Sequence, residues 1–175
     1  MIQVRRLGFD DLQLLRYWRN KDHVREWMVD QRRIGYLEQQ HWFNSLSDTS
    51  DHYFVYSFEH TDIGSVNLTH VDIPSGSFSA GIFCGNSEFL RHKANVCALI
   101  WLYSYAFEKL KLNEALATVN VRNTSARRLN LAIGFTPHEV SSKGFDLLKL
   151  TRSEFLTRKP KLLKLVGTTL PSLEV

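Results

Sequence analysis

His70 and Asp72 stand two residues apart near the end of IGSVNLTHVD, a run whose alternation reads as a strand. Residues two apart on a strand share a face, so Val66 and Leu68 turn inward and His70 and Asp72 continue that face where it becomes polar. An imidazole oriented by a carboxylate is a general base for work near neutral pH, which makes His70 with Asp72 the first candidate for proton transfer. The same pair at a strand end also serves by hydrogen-bonding a turn, and both readings stay open. Glu88 and His41 are lesser candidates, and no Ser/His/Asp or Cys/His grouping that would mark a covalent nucleophile follows from spacing. The run Arg91, His92, Lys93 leads into a helical pattern and is, by itself, an ordinary basic helix start.

Composition narrows the classes around these residues. The 175 residues fit one domain with a core large enough to fold alone. A net charge of +4 and a pI near 9.1 would suit an anionic ligand or nucleic acid, but the Lys and Arg residues are spread along the chain, and no nucleic-acid partner is expected. Cys84 and Cys97 form neither a disulfide framework nor a CxxC pair; the expectation is two small buried hydrophobes and no metal site. No apolar run reaches the roughly 18 residues of a membrane span and no signal-peptide design opens the chain, so the expected location is cytoplasmic.

The elements that must position the candidates follow from periodicity. IQVRRL reads as a strand; DDLQLLRYWRN reads as a helix, capped by Asp10 or Asp11, with Leu12, Leu15 and Trp18 at helical spacing. VREWM and GYLEQQHWFNSL form a second helical pair, the latter with Leu37, Trp42, Phe43 and Leu46 near one face. HYFVYSFE, IGSVNLTHVD and SFSAGIFCG follow as a meander, and residues 94–111 repeat Val96, Leu99, Ile100, Tyr103, Phe107 and Leu110 as a helix against the sheet. A strand, EALATVNV, then meets a helix with Asn123 as N-cap, Ala126 allowing close approach, Leu129 and Ile133 buried and Gly134 as stop. Strands around TPHEV and FDLLKLT close an α+β domain built on a largely antiparallel sheet.

Over residues 1–155, this order of elements, with AGIFCG, EFLRHKANV and NVRNTSARRLNLAIGF in place, resembles the GNAT superfamily of acetyl-CoA-dependent N-acyltransferases. LLRYWRN, VREWM, HWF and HYFVY are most similar to the PseH-like enzymes, which acetylate a UDP-linked 4-amino-dideoxy sugar on the route to pseudaminic acid and flagellin glycosylation. The resemblance implies a GNAT fold with a mostly antiparallel mixed sheet flanked by helices, acetyl-CoA as donor, and attack by a neutral amine in a ternary complex. Backbone N–H groups near Gly81, Ile82 and Phe83 would polarise the thioester carbonyl. Arg91, His92, Lys93, Ala94, Asn95 and Val96 would form the pyrophosphate loop, and Asn123 would border the cofactor groove. Trp27, Met28, Trp42, Phe54 and Phe83 would line the nucleotide-sugar pocket, and Arg19 is structural at its helix end or meets acceptor phosphate.

Two departures from the family pattern stand out. Ala94 and Val96 occupy positions where glycine lets backbone amides approach the pyrophosphate, with Arg91, His92 and Lys93 offering direct charge instead. Asn130 replaces the tyrosine that usually assists the departing sulfur; an amide is no acid but donates a hydrogen bond. Residues 156–175 are expected as a basic and apolar tail that packs across a neighbouring subunit, as in a homodimer, or stays loose. Acetylation of a protein N-terminus, as by ribosomal-protein acetyltransferases, and a catalytically silent CoA-binding domain are the alternative functions.

Overall fold

The computed structural model describes residues 2–140, 144–167 and 169–174, so Thr168 and Val175 of the expected tail lie outside the described residues. Seven strands form one sheet: β1 (Ile2–Arg6), β2 (His52–Phe58), β3 (Thr61–Asp72), β4 (Ser77–Cys84), β5 (Glu114–Asn120), β6 (Thr136–Val140) and β7 (Phe145–Thr151). Their order is β1-β2-β3-β4-β5-β7-β6, with only β4 and β5 parallel, which is the mostly antiparallel α+β sheet that periodicity predicts. Glu59 and His60, both at positive φ, close the β2–β3 hairpin in two residues, the geometry that suits the twist of paired strands.

One face of the sheet packs on α4 (Lys93–Ser104), every residue of which from Cys97 to Ser104 is buried. Its Trp101 meets the Phe54 ring edge-on at 5.0 Å, and Phe54 also meets Tyr105 at 5.2 Å, so Phe54 is a core residue. The opposite face lies under α1 (Leu12–Arg19), the single turn α2 (Asp22–Arg25) and α3 (Tyr36–Asn44). α5 (Thr124–Ile133) follows β5, its N-terminus capped by Asn123 Oδ1 accepting from Ala126 N at 3.0 Å and its end closed by Gly134 at φ 124°.

The tail is where the fold departs most from expectation. Residues 152–166 form α6 (Arg152–Val166), opened by a Thr151/Glu154 capping box, and its Phe155, Leu162 and Val166 are buried in the domain's own core beside α4. Beyond it Ser172 O accepts from Trp101 Nε1 at 2.9 Å and Glu174 pairs with Lys109 at 2.5 Å. The described part of this segment therefore packs into the domain's own core through Phe155, Leu162 and Val166.

Candidate functional site

The site begins where β4 and β5 part. They pair only from Ser77↔Glu114 to Ser79↔Leu116; beyond that point β4 stays with β3 and β5 stays with β7. Strand residues send their backbone groups alternately to either side, so each diverging edge, 80–83 and 117–120, offers N–H and C=O groups to the gap. A cavity of roughly 530 Å³ opens there, with α5 on one side and α1, α3 and the 27–34 segment on the other.

Tyr53, Asn67 and Gly81 are register partners across β2, β3 and β4, and so form one lateral row on the cavity side. A methyl group at Gly81 would stand 2.8 Å from Asn67 Oδ1, so the glycine leaves that carboxamide its place on the floor. Trp42 packs edge-on to Tyr53 at 4.9 Å, and burial pushes the Tyr53 phenol up to about 12, which keeps it a neutral hydrogen-bond donor. Above the row lies Gln39, the one buried residue of α3 at 4% exposure, whose carboxamide has no partner among the described residues. That carboxamide opens onto the cavity, so the wall offers a polar ligand group a hydrogen-bonding partner there. Trp27, Met28 and Arg19 complete this half; Arg19 Nη2 donates to Asp30 O at 2.7 Å, and burial lowers the guanidinium's pKa.

The other half is formed by Asn120, Asn123, Ala126, Leu129 and Asn130. Asn130 faces the gap, but its Nδ2 donates to Ala126 O at 2.9 Å, one turn back along α5, so part of its donor capacity is spent within the helix.

The structure brings Gly81, Ile82, Phe83, Asn123, Asn130, Trp27, Met28 and Trp42 to this one cavity. His70 and Asp72 are not among them. Pairing of β3 with β4 slips between Thr69 and Asp72, His70 sits exposed at φ 52°, and Val71 takes the buried position instead. Asp72 accepts from Ser75 Oγ at 2.7 Å and so serves the turn, and the shared inward face expected for His70 and Asp72 is not observed. Phe54, expected in the pocket, lies in the core on the opposite face, and His41 and Glu88 are exposed away from the cavity.

None of residues 91–96 lines the cavity either. Ala94 is buried and Val96 packs against the core, so the two side chains that replace glycine point inward and do not crowd the helix start. His92 caps α4 through Nδ1, which accepts from Ala94 N at 3.3 Å, and its ring lies between Phe58 and Phe89. Lys93 Nζ donates to Val166 O at 3.3 Å, at the end of α6. Asn95 is fully engaged: it accepts from the Tyr56 hydroxyl at 2.8 Å and donates to Phe89 O and Leu90 O. Arg91 remains exposed.

Sequence reasoning missed Gln39, Asn67 and Asn120. The signal for Gln39 is a polar residue within the stripe that also carries Trp42 and Leu46, and for Asn67 a polar residue on a strand buried on both faces.

Residues 2–136 match the family described as an acetyltransferase (GNAT) domain. Among solved structures, spermidine N-acetyltransferase from Vibrio cholerae in complex with CoA and spermine aligns with a TM-score of 0.77 at 20% identity, over 89% of this chain and 98% of that one. An aminoglycoside acetyltransferase solved with coenzyme A aligns with a TM-score of 0.77 at 17% identity, over 90% of this chain and 98% of its own. A domain from Methanocaldococcus jannaschii gives 0.77 at 16% identity, over 86% and 98%. No protein of curated function matches the sequence.

Proposed function

We propose that this chain, which belongs to the GNAT family of acetyltransferases, moves the acetyl group of acetyl-CoA to the amine of a nucleotide-linked amino sugar. Family membership makes it an acyltransferase with acetyl-CoA as donor. The cleft fits that donor. An extended amide-bearing arm can pair with the free edges of β4 and β5, with Asn123 and Ala126 beside it, and the N–H groups of the Gly81–Phe83 stretch face the position of a thioester carbonyl. At the phosphate end, exposed Arg91 and Lys93 supply charge, while the side chains of His92 and Asn95 make contacts inside the domain.

The observation that carries the acceptor reading is the chemistry of the wall under α3: among the described residues it presents unpartnered carboxamides of Gln39 and Asn67, a neutral Tyr53 phenol, two tryptophans and no histidine. Of its carboxylates, Asp30 accepts from Arg32, which lowers that acid's pKa, and Glu38 lies exposed 3.5 Å from the same guanidinium. Such a wall hydrogen-bonds hydroxyl and amide groups and stacks rings, but is a poor place to deprotonate a strongly basic amine. An alkylammonium with a pKa of about 10.4 is neutral in only about one molecule in 10³ at pH 7. An amine that titrates near neutrality, as on a sugar ring, needs only water as base. A protein N-terminus, with a pKa of about 7.7–8.0, meets the same condition and is the second reading.

Thiol release from acetyl-CoA with three acceptors separates these cases: a UDP-linked 4-amino-4,6-dideoxy-N-acetyl sugar, spermidine and a ribosomal-protein N-terminal peptide. The expected kcat/KM for the sugar nucleotide is about tenfold or more above the others. Preference for spermidine or the peptide would remove the sugar acceptor, and no release with any of them would favour a silent domain.

A further inference from the structure

Asn120 ends β5 at the gap and is buried, with 8% exposure, yet its side chain makes one hydrogen bond among the described residues. Its Oδ1 accepts from Arg122 N at 3.0 Å, which fixes the orientation of the carboxamide. The Nδ2 group, with two N–H donors, is then left without a partner among the described residues, in the wall of the cavity. Those donors open onto the cavity, where a ligand can accept from them. Asn130, by contrast, has already turned an N–H back to Ala126 O.

We propose that Asn120 Nδ2, and not Asn130, donates the hydrogen bond that stabilises the CoA thiolate as it leaves. The inference rests on acetyl transfer and is independent of the acceptor. In the step it serves, the amine nitrogen forms a bond to the acetyl carbon, the carbon–sulfur bond breaks, and its electron pair goes to sulfur. The proton released by the amine goes to water, and the thiolate takes its own proton from water afterwards. Asn120 keeps both of its protons throughout, and a hydrogen bond to a charged sulfur supplies part of what a phenol would give.

Desulfo-CoA, which lacks only the sulfur, provides a test that needs no acceptor. At pH 10.5, about two units above the roughly 8.5 of a cysteine thiol, the CoA thiol is largely ionised. Calorimetry should then show the parent binding CoA about tenfold more tightly than desulfo-CoA. Asn120→Asp keeps the oxygen that Arg122 N requires and removes the donor; its preference should vanish or invert, while Asn130→Ala should keep the parent ratio within about twofold. Equal affinities for CoA and desulfo-CoA in the parent, or a preference that survives in Asn120→Asp, would overturn the assignment. Should that variant fail to fold, a crystal structure of the parent with CoA decides the matter. Sulfur within hydrogen-bond reach of Asn120 Nδ2 supports the proposal, and sulfur beyond it overturns the proposal. Acetyl transfer that fails with every acceptor while the binding preference holds would count against the sugar acceptor and not against Asn120.

Discussion

Gly85→Ala is expected to destabilise the protein by about 3 kcal/mol or more, seen as a fall in Tm of roughly 6–12 °C for a chain of this size. A methyl group at this position would stand 2.5 Å from Trp18 Cδ1 and closer still to Cγ and Cδ2, inside a ring that is itself buried. The ring has nowhere to go. Lys21 Nζ donates to Gly85 O at 3.0 Å and His23 bonds Cys84 O at 3.3 Å, so the α1–α2 corner is fastened to the end of β4 on both sides of the contact. Because α1 carries Leu15 and Arg19 into the cavity wall, residual folded protein should also show a raised KM for the acceptor. A thermal melt within about 2 °C of the parent would mean that Trp18 does not lie where it is described.

The second large effect is on rate against pH. With no imidazole in the cavity wall among the described residues and Tyr53 held neutral up to about 12, the ionisation expected to govern attack between pH 5.5 and 9 is that of the acceptor amine itself. The sign follows directly: only the neutral amine attacks, so kcat/KM should rise about tenfold per pH unit below the amine pKa and level off above it. Two acceptors whose amines differ by about one unit in pKa should give profiles displaced by the same amount. An inflection that stays fixed when the acceptor is changed would identify a base on the enzyme, and with it a group outside the wall as described.

Most of the fold was legible because its signals are local and mutually consistent. β1 alternates, the β2 to β4 runs are separated by turn signals, α5 carries its own cap and stop, and α4 is apolar enough to be placed against a sheet. α6 was missed because its basic residues and Pro160 obscure the face that Phe155, Leu162 and Val166 bury. At the site, strand parity misplaced His70: period-2 reasoning fails at a slip in register, and nothing in THVD announces one. Helical periodicity misjudged α3 for another reason. Leu37, expected inward, is 65% exposed, and Gln39 is buried, because this helix covers a cavity and not a core. The asparagines were half legible. Asn123 was read as a cap from its place before a helix, but the spare donors of Asn120 depend on which neighbour takes its oxygen, a fact of three dimensions.

The central claim is that one cavity, between the parted strands and the wall under α3, brings the sugar amine to the thioester. A conjugate joining CoA through its acetyl carbon to the 4-amine of the UDP-linked sugar measures this directly, since linking two ligands that share a site makes the second binding intramolecular. Calorimetry should give a Kd about 100-fold or more below that of CoA alone, and a conjugate that binds no more tightly than CoA would contradict the account.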